Sequence, residues 1–259
     1  LRPGRAAATA RTLAALARRT LRAAGARPPA SALCCAVAGA GRDPERSALQ
    51  DALLATGVAR AVVVTTDAEA ALHDAFGTGP GLLLASGTGS IAWGRAPDGR
   101  TARAGGWGAL LGDEGSGYAL GLAALRAAAR AHDGRGPATP LVGAILRATG
   151  APAPEDLIAW SAAASKAEIA ALAPTTLDAA RQGDPVALEL LRAAAAELAT
   201  HVAALHRRLG PWTEPPPLAL AGRLLEPGSP LREATLEAIA ALGIPARALD
   251  TTPDGARGA

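Results

Sequence analysis

The sequence predicts an α/β protein built as two lobes. Short apolar runs alternate with helical patterns between Ala32 and Ala75, as in parallel strands joined by crossover helices. Gly77-Thr78-Gly79-Pro80 interrupts that alternation and divides the chain into a partial N-terminal lobe, residues 1–79, and a C-terminal lobe, residues 80–259. The 259 residues are 49% hydrophobic and 19% charged, enough apolar material for each lobe to bury a core.

The elements follow in order. Ala6 to Ala24 predicts an amphipathic helix, with Leu13, Leu16, Ala17 and Leu21 near helical spacing. Ala32–Ala38 is a buried strand that ends at Gly39-Ala40-Gly41, and Pro44–Thr56 is the next helix. Ala61–Thr65 holds three valines, whose branched side chains suit a strand. Thr66–Ala75 is a helix. In the second lobe Gly81–Ala85 and Ile91–Arg95 are strands around the turn Ser86–Ser90. Pro97-Asp98-Gly99 is a hairpin turn, and Thr101–Ala104 continues the meander. Helices then dominate: Tyr118–His132, Thr139–Thr149, Pro154–Ser161, Lys166–Leu172 and Pro185–Leu209. A Pro-rich linker, Pro211–Pro217, leads to the strand Leu218–Ala221, then Gly222 and a helix over Pro230–Leu242.

Composition narrows the function classes. The net charge is +3, but Lys166 is the only lysine and the arginines are spread over Ala-rich helices rather than clustered. Without a basic block or interleaved aromatics, nucleic acid is not an expected partner. Cys34 and Cys35 are adjacent in a predicted strand and point to opposite faces, so they suit buried thiols in a reducing cytoplasm rather than one disulfide. Neither cysteines nor histidines fall at metal-ligand spacing. No apolar run approaches the roughly 20 residues of a membrane span. Leu1–Ala30 is Arg-rich without an apolar stretch, so no secretory signal is expected there. The chain contains no methionine, not even at position 1, which predicts that the natural N-terminus lies upstream.

Three segments carry candidate chemistry. Gly105 to Gly117 places six glycines in thirteen positions around one flat aromatic, Trp107, and two adjacent acids, Asp113 and Glu114. Such a backbone approaches a ligand closely, and an aromatic with carboxylates suits a polyhydroxyl ligand. Ser86-Gly87-Thr88-Gly89-Ser90 could cradle a phosphate with backbone N–H groups and hydroxyls. It lacks the Gly-Lys-Ser/Thr ending of a Walker A loop, and its flanking strands make it a hairpin tip. Asp67 sits at the carboxyl end of a strand, where open α/β sheets gather ligands, and could take the proton of an attacking hydroxyl. Thr66-Asp67-Ala68-Glu69 equally fits a capping box, with Glu69 serving the helix start. The four histidines fall on helices without partners at metal spacing and read as surface or packing residues.

With these residues the chain resembles the N-acetylglucosamine kinase and BadF/BadG/BcrA/BcrD ATPase family. The matching pieces are Thr65–Glu69, Ser86–Ser90 and Gly105–Gly117. Weaker matches are Asp133–Gly136, Ala170–Pro174 and Ala219–Gly222. The resemblance implies an actin-like ATPase (ribonuclease H-like) fold, two lobes around a cleft, and ATP-dependent phosphorylation of N-acetylglucosamine or glucosamine to its 6-phosphate. It implies that Asp67 is general base and sugar ligand, and that Gly106, Trp107, Gly108 and Asp113 line the sugar. Ser86, Gly87, Thr88 and Gly89 would meet the phosphates of ATP, with Ala221 and Gly222 near adenosine. Mg²⁺ would travel with ATP, held mostly by phosphates and water. A homodimer fits families of this kind.

Two departures stand beside the resemblance. Kinases of this family open with a strand and a Gly-Gly-Thr phosphate hairpin, and nothing in Leu1–Ala40 replaces it, so the first lobe is expected to be incomplete. Arg223 follows Gly222 where a second glycine is usual. A BadF-type ATPase that activates a dehydratase, and a catalytically inactive sugar-binding module, are the alternatives. The first needs cluster-binding cysteines beyond Cys34-Cys35.

Overall fold

A computed structural model of the chain describes residues 4–259. Leu1–Pro3, the start of the Arg-rich segment expected to hold no secretory signal, lie outside the described residues. The described chain falls into two units: residues up to Thr78 together with Pro253–Ala259, and Gly79–Thr252.

The first unit runs α1 (Ala6–Ala23), β1 (Ala30–Ala36), α2 (Asp43–Leu54), β2 (Ala59–Thr65) and α3 (Asp67–Phe76). β1 and β2 pair in parallel, with Cys35 opposite Val64 and Ala36 opposite Thr65. Ala10 and Ala14 of α1, Leu49 and Leu53 of α2, and Val62 and Val64 of β2 form its core. Small alanines on α1 let the helix lie close to these larger residues. Cys35 is buried in that core and both thiols are free, with burial raising each above its usual range.

The second unit opens with β3 (Gly81–Ser86), β4 (Ser90–Arg95) and β5 (Thr101–Gly105). Helices α4 (Gly117–His132), α5 (Leu141–Thr149), α6 (Asp156–Ala163), α7 (Lys166–Ala170), α8 (Ala173–Arg181) and α9 (Pro185–Leu209) follow. Then come β6 (Pro217–Ala221), α10 (Pro230–Ala241) and the two-residue β7 (Arg247–Ala248). The sheet order is β5-β4-β3-β6-β7: a β3–β4–β5 antiparallel meander with β6 and β7 added in parallel. β3 contributes Leu82 and Leu84 and β6 Leu218 and Leu220 to the core, and Leu83 and Ala219 on the opposite face are also fully buried, as befits central strands covered on both faces. Leu198, Val202, Leu205 and Leu209 of α9 pack into the same core.

Most element ends shift by one or two residues from the sequence expectation, and two larger differences stand out. The stretch after Lys166 is two helices, because Pro174 sits in the first turn of α8, where a missing N–H costs nothing. The sequence expectation places the last residues with 80–259. Pro253–Ala259 instead join the first unit, forming α11 (Gly255–Gly258) on α3. The Asp74 carboxylate of α3 fixes them, accepting from the Asp254 N–H at 2.7 Å and the Arg257 guanidinium at 3.2 Å. Among the described residues no helix is long and apolar enough to cross a membrane.

Asp184 starts the longest helix. Its buried carboxylate accepts from Val186 N (2.9 Å) and Ala187 N (3.2 Å) of α9, and from Leu141 N (3.1 Å) and the Thr139 hydroxyl (2.5 Å) at the start of α5. Burial raises its pKa, but the Thr139 and backbone hydrogen bonds outweigh burial and hold it below the usual value. A depressed folded pKa stabilises above the unfolded carboxylate pKa of about 3.9, and that stability is lost as pH falls through the folded value. Asp184→Ala is expected to cost about 2 kcal/mol at neutral pH. Its stability should also fall less steeply than the parent's below about pH 4. Urea unfolding from pH 2 to 7 checks both.

Candidate active site

In the first unit, β2 delivers the chain to α3. Thr66 is the N-cap, and its hydroxyl accepts from Glu69 N at 3.0 Å. The Glu69 carboxylate reaches back to accept from Thr66 N (3.0 Å) and the Thr65 hydroxyl (2.8 Å). Burial opposes ionisation of Glu69, yet the hydrogen bonds from Thr66 and Thr65 and the nearby Arg46 lower its pKa. Capping therefore belongs to Thr66 and Glu69, and the Asp67 side chain takes no part in that exchange. Asp67 is exposed at the carboxyl end of the parallel pair, and among the described residues its Oδ1 accepts only from its neighbour Ala68 N, at 3.1 Å. Among the described residues no ion pair involves it.

In the second unit, β3 and β4 form the predicted hairpin with Ser86 opposite Ser90, and Gly87-Thr88-Gly89 at the tip. The tip closes with Gly87 N donating to Gly89 O at 2.9 Å. The glycine-rich loop that follows β5 is laced to this tip. Gly117 N donates to Gly87 O at 2.7 Å, and Tyr118 N to Thr88 O at 3.4 Å. The serine hydroxyls complete the lacing: Ser86 Oγ donates to Gly115 O (2.9 Å) and Ser90 Oγ to Glu114 O (2.6 Å). Hydroxyls expected to meet phosphate are thus spent elsewhere. Ser86 is fully buried, so its part is to position the loop, and Thr88 is the hydroxyl exposed at the tip.

Ala221 and Gly222 lie beside this hairpin, because β6 runs parallel to β3 with Ala85 opposite Ala221. Gly222 has φ 86° and ψ 152°, a region open only to glycine. A Cβ there would lie 2.3 Å from Ser86 O. The structure so brings the phosphate-hairpin and adenosine candidates together at the carboxyl ends of two parallel strands.

The sugar-loop candidates divide by environment. Trp107 is 64% exposed, with the Arg103 guanidinium 5.2 Å from its ring centroid. Gly106 and Gly108 flank it, and Leu110 and Leu111 beyond are also exposed. Asp113 is buried, with φ 62° in the left-handed region that Asp tolerates better than most residues. Its carboxylate pairs with Lys166 Nζ at 2.5 Å and accepts from Ser90 N at 3.4 Å. A Cβ on Gly89 would sit 2.9 Å from its Oδ1, so the hairpin tip lies directly against this carboxylate.

Two contributors escaped the sequence reading. Lys166 was read only as the start of a helix, yet it supplies the cation for Asp113. Its rarity, one lysine in the chain, was the available signal. His201, read as a packing residue, is buried on α9 with its Nδ1 2.8 Å from Glu197 O. A Cβ on Gly105 would meet its ring at 2.3 Å, and its Nε2 lies 4.0 Å from the Glu114 carboxylate. Among the described residues no group of three or more His, Cys, Asp or Glu is arranged to hold a metal ion.

The chain is similar to known sugar kinases. Over 197 residues, 75% of this chain, it is 39% identical to an N-acetylmuramic acid/N-acetylglucosamine kinase from Clostridium acetobutylicum. The chain spans 64% of that relative's length. A crystal structure from Chromobacterium violaceum, provisionally assigned as an N-acetylglucosamine kinase, superimposes with a TM-score of 0.74. That match has 31% identity and covers 95% of this chain and 81% of the other. A ROK-family glucokinase from Streptomyces griseus, at 20% identity and a TM-score of 0.52, shares the fold over 81% of this chain and 69% of its own. The fold is therefore the actin-like ATPase fold. Residues 4–239 match one family throughout, spanning the Asp67 helix, the Thr88 hairpin, the Trp107–Asp113 loop and Gly222. The chain belongs to the BadF/BadG/BcrA/BcrD ATPase family.

Proposed function

We propose that this protein transfers the γ-phosphoryl group of ATP to the 6-hydroxyl of an amino sugar, N-acetylglucosamine or glucosamine. The observation that carries the reading is the lacing of the Thr88 hairpin to the Trp107–Asp113 loop, with Gly222 against Ser86. A phosphate-type tip, a sugar-type loop and a close-approach glycine belong to one hydrogen-bonded assembly. The names of the kinase relatives support the same chemistry.

Each residue has a role in this reading. The exposed Asp67 carboxylate accepts the proton of the sugar hydroxyl as its oxygen bonds to the γ-phosphorus and the bond to ADP breaks. Such a base contributes typically about 10²- to 10⁴-fold. The Thr88 hydroxyl and the tip backbone hold phosphate oxygens. Trp107 offers an apolar face to the sugar ring; Asp113, whose carboxylate is buried against Lys166 and the hairpin tip, holds the loop from behind, and the glycines around it bring backbone close to the hydroxyls. Mg²⁺ would be carried mostly by the ATP phosphates and water, and would neutralise charge developing there.

Calorimetry tests this. The intact protein is expected to bind N-acetylglucosamine and MgATP each alone, and more tightly together. Sugar binding without nucleotide binding would instead identify an inactive sugar-binding module.

A further inference from the structure

We propose that Lys166 is a positioning residue of the transfer site: its ammonium fixes the Asp113 carboxylate in the one orientation that meets both the phosphate hairpin and the sugar loop. The proposal rests on the kinase reading above.

Lys166 is not a loose surface lysine. It opens α7, whose N-terminus is locked by a reciprocal cap. Ser165 N donates to Glu168 Oε2 at 2.7 Å, and Glu168 N donates to Ser165 Oγ at 3.3 Å. Ile169 is buried, and α7 lies so near α4 that a Cβ on Gly121 would stand 2.0 Å from Ile169 O. A Cβ on Gly117, at the end of the glycine-rich loop, would stand 3.2 Å from Ala170 O. The backbone that carries Lys166 is therefore seated on the helix that the loop runs into.

The side chain is equally defined. Its Nζ lies 2.5 Å from Asp113 Oδ2 and 5.9 Å from the centroid of the Tyr118 ring. The two partners differ in exposure: the Lys166 side chain is 40% exposed, that of Asp113 only 5%. A pair of two exposed groups would contribute little. Here removal of the cation strands a buried carboxylate, and the penalty falls on the loop that carries it. That carboxylate is also where Ser90 N and Gly89 of the hairpin meet the loop. Lys166, 53 residues downstream of Asp113, is thus the far end of a chain from α7 through Asp113 to the hairpin tip.

The test compares Lys166→Met, Lys166→Arg, Asp113→Asn and the Lys166→Met/Asp113→Asn double variant, by steady-state kinetics on the intact protein with N-acetylglucosamine and MgATP. Lys166→Met is expected to raise the sugar KM by about tenfold or more while kcat stays within about threefold. Lys166→Arg should return KM to within about threefold of the parent, since the charge is kept. In the Asp113→Asn background, Lys166→Met should change KM by less than about twofold, the non-additivity expected of one interacting pair. A Lys166→Met enzyme with parental KM overturns the proposal. So does a double variant whose effects simply multiply, or a Lys166→Arg enzyme no better than Lys166→Met. A parent protein that transfers no phosphate to the sugar sinks the kinase reading itself, and this inference with it.

Discussion

Asp67→Asn should lower kcat by about 10²- to 10⁴-fold while sugar affinity stays within a few-fold. The structure makes this substitution a clean one. Thr66 and Glu69 hold the start of α3 between them, and Asp67 takes no part in that exchange. Among the described residues its one acceptor contact, from Ala68 N, can be kept by the amide oxygen of Asn. Folding stability should accordingly change by no more than about 0.5 kcal/mol, as for other exposed positions. Loss of turnover at unchanged thermal midpoint would separate a chemical role from a structural one. If kcat stays within about tenfold of the parent, Asp67 is not the base.

Gly222→Ala should damage both the fold and the nucleotide site. The dihedral angles alone place alanine in a region that costs about 1–3 kcal/mol. The added Cβ would also overlap the Ser86 carbonyl, at 2.3 Å from its oxygen and 2.7 Å from its carbon. That carbonyl has little room to retreat, because β3 is held by β4 on one side and β6 on the other. Overpacking of this kind adds about 1–3 kcal/mol. Together these should lower the thermal midpoint by roughly 5–15 °C. Because Ser86 roots the hairpin, the KM for ATP should rise by at least about tenfold. Scanning calorimetry and ATP titration at fixed sugar read the two effects. A variant with parental melting and parental ATP KM would show that the contact between Gly222 and the hairpin does not matter.

Much of the architecture was legible because its signals are local. Thr66 and Glu69 are three residues apart, and the capping box they predict is formed. The hairpin around Thr88 announced itself through two apolar runs and a Gly/Ser/Thr turn, and its pairing is as expected. What the sequence hid depends on distant partners. Nothing near Asp113 points to Lys166, nor anything near Gly105 to His201, because the helices α7 and α9 bring them together. Ser86 and Ser90 illustrate the same limit. Hydroxyl-bearing residues around glycines suit a phosphate, but the same hydroxyls also satisfy the carbonyls of a loop 24 to 29 residues away. α8 was obscured by Pro174, which breaks a helix in its interior but starts one at its first turn. β7 spans two residues, too short for any periodicity.

The most direct test of the account is phosphorus NMR of the intact protein with MgATP and N-acetylglucosamine. A sugar 6-phosphate resonance should grow in step with ADP, and both should form about 10²- to 10⁴-fold more slowly in the Asp67→Asn protein. Release of inorganic phosphate without sugar phosphate would contradict it, since the bound γ-phosphoryl group would then be passing to water.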